Sequence, residues 1–105
     1  RRQRRWQMSL SDNQSEKFIE LSLVRAIKAA GGICPKYMAP GTSGMPDRIV
    51  LMPNGQMCFV ELKAPGKKPR PLQERMHEKL RALGFDVYVI DSTEQIKEMI
   101  TWLRC

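Results

Sequence analysis

The chain has 105 residues, 42% hydrophobic and 28% charged, which suffices for one small core and leaves no room for a second. Its formal charge of +7, from 18 Lys and Arg against 11 Asp and Glu, points to a polyanionic partner, either nucleic acid or an anionic membrane surface. No apolar run approaches the roughly 20 residues of a membrane-spanning helix, residues 9–14 (Ser-Leu-Ser-Asp-Asn-Gln) are not the apolar stretch of a secretory signal, and three cysteines without CxxC spacing argue against a disulfide framework or a zinc module.

Arg1, Arg2, Arg4 and Arg5 supply four of the seven net charges, so the remainder carries only +3. Residues 1–13 read as a basic, disordered arm and 14–105 as the folded domain. A helix is expected over 14–31, where Ile19, Leu23, Val24, Ile27 and Ala30 recur at helical spacing and Gly31-Gly32 stops it. Asn13 and Glu16 have the spacing of a capping box. Residues 33–39 read as a short strand, followed by a loop through Pro40, Gly41, Gly44 and Pro46. Strands at 47–52 and 57–63 flank Pro53-Asn54-Gly55, the signature of a three-residue hairpin loop with a glycine bulge. A bend through Pro65, Pro69 and Pro71 leads into a helix over 71–83 that ends at Gly84. A β-branched strand follows at 85–90, then a helix at 93–103 capped by Asp91 or Ser92. The order is that of an α/β domain, an αβββαβ core with a C-terminal helix and a mixed sheet.

The hairpin carries the chemistry. With 53–55 as its loop, Asp47 faces Glu61, Ile49 faces Phe59 and Leu51 faces Met57. Alternation puts Lys63 on the same side as Glu61. Three charged groups thus converge at one end of an apolar strip. Val50, Met52, Cys58, Val60 and Leu62 make the other face apolar as well, so both faces are expected to be covered. Charges on a covered sheet are costly unless paired or bound to metal. Facing carboxylates, with Cβ atoms roughly 5 Å apart, repel each other but can jointly hold a hard divalent cation. The plainer alternative is an ion pair at a strand end.

Glu20 lies on the arc of Leu23, Val24 and Ile27, where a metal or Lys63 would explain a carboxylate, as would a boundary position reaching water. Gln73 shares an inward face with Met76 and Leu80, so its amide can meet a carboxylate, a water or a phosphate. His77, alone on a mostly charged helix, reads as solvated, with a general base as the other option. Lys67, Lys68, Arg70 and Arg75 form a basic lip suited to phosphates.

Pro46-Asp47 followed by Glu61-Leu62-Lys63, with thirteen residues between the carboxylates, resembles the PD-(D/E)XK nuclease core. Gly44-Met45-Pro46-Asp47-Arg48-Ile49-Val50, Phe59-Val60-Glu61-Leu62-Lys63, Gln73 after the proline-rich bend and Gly84 before a Val-rich strand are similar to the VRR-Nuc family within it. The likeness spans about residues 16–96 and is to the family's minimal domain. It implies a restriction-endonuclease-like fold and a Mg²⁺- or Mn²⁺-dependent endonuclease. Asp47, Glu61 and the Leu62 main-chain carbonyl would be metal ligands, Lys63 the catalytic lysine, Gln73 the helix glutamine and Glu20 the first-helix glutamate, with Glu16 as fallback. It also implies a homodimer acting on branched double-stranded DNA such as the four-way Holliday junction, with no small-molecule cofactor, no membrane and a cytoplasmic, bacterial or phage setting. The rival expectation is a non-catalytic nucleic-acid-binding module whose Asp, Glu and Lys are structural.

Overall fold

Ser15 opens the first helix, α1 (Glu16–Ala29), in a computed structural model that describes residues 15–103. Its hydroxyl accepts the Phe18 N–H at 3.2 Å, satisfying one of the orphan donors of the first turn. Glu16 lies in that turn, where its charge complements the helix dipole. Asn13 and the basic arm at 1–13 lie outside the described residues, as does Cys105. The buried stripe of α1 is Ile19, Leu23 and Ile27, one residue per turn on a single face.

The strand expected at 33–39 is reduced to two isolated bridges, Ile33 with Leu51 and Lys36 with Arg48. Pro35 is the reason. Its carbonyl accepts the Ile49 N–H at 3.2 Å, but it has no N–H to return, so the ladder is interrupted between the two bridges. The remaining elements are β1 (Arg48–Leu51), β2 (Met57–Leu62), α2 (Pro71–Ala82), β3 (Val87–Ile90) and α3 (Thr93–Leu103).

The three strands lie in the order β1-β2-β3, antiparallel between β1 and β2 and parallel between β2 and β3, with α2 as the crossover. The mixed α/β architecture is therefore the expected one. Arg48 pairs with Val60, Ile49 with Phe59, Val50 with Cys58 and Leu51 with Met57, the register read from the hairpin loop. In the loop both Asn54 (φ 70°) and Gly55 (φ 77°) are left-handed, so the turn is not a type I turn closed by glycine alone. Asn tolerates this conformation better than other side chains.

The sheet is the middle of three layers. Val50, Cys58, Val60 and Leu62 pack against Ile19, Leu23 and Ile27 of α1 and Ile96, Met99 and Leu103 of α3. On the other side Phe59 and Val87 pack against Leu80 of α2, with Tyr37, Met45, Ile49, Met57 and Met76 around them. Cys34 and Cys58 are free, buried thiols, and burial pushes the Cys58 thiol up to about 12, which makes it inert. Ser92, not Asp91, caps α3. Its Oγ accepts the Gln95 N–H at 3.3 Å, and Asp91 instead accepts the Gly66 N–H at 3.2 Å, tying the segment after β2 to the end of β3. Among the described residues no helix is long and apolar enough to cross a membrane.

Candidate functional site

The site forms where β2, the central strand, ends against the first turns of α2. Asp47 stands just before β1, and the loop that delivers it is held by Gly44. At φ 84° a side chain there is strained, and a Cβ would lie 2.7 Å from the Leu72 carbonyl oxygen. The loop can therefore rest directly on the start of α2 only with glycine at this point. Asp47 Oδ2 accepts the Leu62 N–H at 2.8 Å, so the carboxylate stands in for a strand partner beyond the end of β1.

Glu61 is the centre of the arrangement, 1% exposed. Its Oε2 accepts a hydrogen bond from Gln73 Nε2 at 3.1 Å and faces Lys63 Nζ at 3.6 Å. The Gln73 amide has no freedom to flip. Its Oε1 accepts the Arg70 N–H at 2.8 Å, which leaves its NH₂ to donate to Glu61. Glu61 Oε1 lies 3.6 Å from His77 Nε2, and neither of these buried atoms has a hydrogen-bond partner. Burial first, and the Asp47 carboxylate second, push Glu61 up to about 7, with Lys63 opposing. Burial also holds His77 below its ordinary value, so at neutral pH its ring is uncharged and the contact is not an ion pair.

The structure thus brings together Asp47, Glu61, Lys63 and Gln73. It does not bring Glu20 to them. Glu20 Oε2 receives Arg48 Nε at 3.2 Å and Nη2 at 2.9 Å, with Lys36 Nζ at 3.7 Å. Arg48 follows Asp47 in the strand, so its side chain leaves on the opposite face, the one that α1 covers. The expectation of Lys63 as the partner of Glu20 is corrected to Arg48, whose hydrogen bond holds the carboxyl below its usual range. Glu16, the fallback, is exposed.

His77 is a second correction. It is 1% exposed rather than solvated. The signal was its spacing, since Gln73, His77 and Leu80 make one inward stripe on α2. Tyr37 was also missed. Its ring packs on Phe59 with centroids 6.5 Å apart, and its buried hydroxyl has no partner. It borders a cavity of about 480 Å³ beside Asp47, lined also by Lys36, Thr42 and Met45. Lys67, Lys68, Arg70 and Arg75 are all exposed. Lys67 and Lys68 edge a further cavity of about 390 Å³ with Arg81, where Glu74, Glu78 and Asp91 offset their charge.

Among the described residues no group of three or more His, Cys, Asp or Glu side chains forms a metal cage. Two carboxylates remain, and that donor set suits Mg²⁺ or Mn²⁺, hard cations that bind through one or two carboxylates and keep several waters. The orphaned Glu61 Oε1 fits such an ion as well, because a buried carboxylate oxygen lacking a partner is otherwise costly.

Comparison with known proteins follows the same outline. Residues 3–94 match the VRR-NUC domain. Over 79 residues the chain is 51% identical to "Putative nuclease p44" of Acyrthosiphon pisum secondary endosymbiont phage 1, a match that covers 75% of this chain and 85% of the relative. A solved VRR_NUC domain structure aligns with a TM-score of 0.77 and 36% identity, covering 82% of this chain and 94% of the other.

Proposed function

The chain belongs to the VRR-NUC domain family of nucleases, and from that premise we propose that it is a divalent-metal-dependent, structure-specific DNA endonuclease that works as a homodimer on four-way junctions. The observation that carries the chemistry is Glu61, a buried carboxyl beside Asp47 with Gln73 and Lys63 on one oxygen and an unpartnered second oxygen.

Asp47, Glu61 and the Leu62 carbonyl would hold the cation. The N–H and C=O of one strand residue leave on the same edge, so the Leu62 carbonyl shares the side from which its N–H reaches Asp47. A Mg²⁺ or Mn²⁺ ion held there would supply a water of lowered pKa and offset charge on the scissile phosphate. Lys63, held near Glu61, orients the attacking water and stabilises the negative charge that develops on the phosphate. Gln73 fixes the Glu61 carboxylate through an amide locked by the α2 N-terminus. Arg48, anchored by Glu20, steadies the strand position next to Asp47. Lys67, Lys68, Arg70 and Arg75 contact phosphates without reading sequence. One such site per chain cuts one strand, and symmetric resolution of a junction needs two copies related by a two-fold axis.

The test is cleavage of linear, flapped, forked and four-way DNAs with Mg²⁺ and with Mn²⁺, alongside solution mass by light scattering. The reading predicts paired, symmetric nicks in the four-way junction by a species of twice the chain mass. If the protein binds these DNAs yet cuts none of them with either metal, it is a binding module. Symmetric cutting by a monomer would remove the dimer.

A further inference from the structure

Glu61, Gln73 and His77 are the polar or charged side chains that are buried among the described residues, and the mechanism above uses two of them. The third lies on α2 one turn beyond Gln73. A carboxylate offers about four lone-pair sites over its two oxygens. Glu61 Oε2 has both Gln73 and Lys63, whereas Oε1 has neither a donor nor a cation within hydrogen-bond reach. His77 Nε2 stands 3.6 Å from that oxygen, also without a partner. Two buried polar atoms of complementary type therefore face each other across a gap only slightly longer than an N–H···O hydrogen bond of roughly 2.7–3.2 Å. The helix that carries His77 is pinned on both sides of it. Gln73 reaches Glu61 on one side, and on the other Arg81 Nη2 donates to the Val87 carbonyl at 2.8 Å. A ring that merely filled volume between Gln73 and Leu80 would be better replaced by an aliphatic side chain with nothing to satisfy.

We propose that His77 is a positioning residue for the metal site, its Nε2–H donating to Glu61 Oε1. With Gln73 on Oε2 it holds both oxygens of the carboxylate, so that Glu61 presents one fixed Oε1 lone pair to the cation. This inference rests on the reading of Asp47 and Glu61 as metal ligands. Outer partners of this kind typically tune metal affinity by about 10–100-fold.

The test is Mn²⁺ titration of the full chain, followed calorimetrically and by the electron paramagnetic resonance of free Mn²⁺, for the wild type, His77→Leu, His77→Gln and Asp47→Ala. His77→Leu is expected to weaken Mn²⁺ binding by about 10–100-fold, measured at a temperature where both proteins remain folded in metal-free buffer. His77→Gln, which keeps an N–H donor, should stay within about threefold of the wild type. If His77→Leu does not fold, His77→Met supplies the donor-free comparison at similar volume. Equal Mn²⁺ affinity in the wild type and the donor-free variant overturns the inference, as does an equal loss in Gln and Leu. Asp47→Ala separates the two levels. If it loses Mn²⁺ while His77→Leu keeps it, this inference alone fails; if it binds Mn²⁺ like the wild type, the metal reading fails and carries this inference with it.

Discussion

On the α1 and α3 side of the sheet, β1 and β2 bury Val50, Cys58, Val60 and Leu62 against aliphatic and thioether side chains. On the α2 side the same strands, one residue out of phase, bury Phe59 and then Glu61, with Gln73 and His77 facing the carboxyl. The polar group nearest the first face is the Arg48–Glu20 pair, which is only part-buried and has every charge matched. On the second, Glu61, Gln73 and His77 are buried, and one atom each of Glu61 and His77 has no hydrogen-bond partner. Since side chains alternate along a strand, residues 47–63 build both faces at once. One face supplies stability with little chemistry, and the other carries a polar cluster whose burial costs stability. If that division is right, substitutions on the two faces should separate folding from cleavage.

The largest effect is expected at Lys63. Lys63→Met removes the cation beside Glu61 and should lower single-turnover cleavage by roughly 10²–10³-fold, with melting altered far less than cleavage. Its counterpart on the apolar face is Leu23→Ala, which empties part of the α1 stripe. It should cost about 2–5 kcal/mol of stability by denaturant titration, while cleavage per folded molecule stays unchanged. A cleavage loss in Leu23→Ala at temperatures where it remains folded would blur the division.

Glu61→Gln probes the cost of the polar face directly. The folded-state carboxyl is raised from 4.5 to about 7, so the folded chain holds a proton that the unfolded chain releases. That contribution to stability is fully present below about pH 4.5 and is lost as pH rises through about 7. His77, held low, acts in the opposite sense near its own ordinary value, so the difference between variant and wild type is the informative quantity. In metal-free buffer Glu61→Gln should gain roughly 2–3 kcal/mol relative to the wild type between pH 5 and pH 8. No such gain in pH-dependent melts would mean that the carboxyl is already relieved by its neighbours.

How far these residues could be read from sequence differs between the faces. Register and alternation are local properties, and the loop at 53–55 fixes both, so the convergence of Asp47, Glu61 and Lys63 was legible before any tertiary contact was known. Gln73 followed from helical spacing. For Glu20 the arc was right, but its partner is Arg48 rather than Lys63. Arg48 alternates away from Asp47, and a helix packed on the Val50 and Val60 face meets Arg48 rather than Lys63. His77 was passed over because composition outweighed spacing: a lone histidine among charged neighbours hid an i, i+4 relation to Gln73. The strand at 33–39 failed on one missing N–H at Pro35. The smallest expected effect belongs to the corrected residue. Glu20→Gln keeps its hydrogen-bond geometry to Arg48 and should cost only about 1 kcal/mol of stability, with cleavage reduced less than tenfold. A loss of Mn²⁺ binding in this variant would return Glu20 to the metal site.

In the proposed function the buried carboxyl cluster, not the basic surface, does the chemistry. Single-turnover cleavage of an end-labelled four-way junction, with Mn²⁺ or with chelator and with junction binding measured in the same samples, tests it for the wild type and Asp47→Ala. Expected are cleavage by the wild type only and with metal only, a loss of at least roughly 10³-fold in the variant, equivalent to about 4 kcal/mol of barrier, and junction binding kept by both. Cleavage by Asp47→Ala at the wild-type rate, or binding without cleavage by either protein, would contradict it.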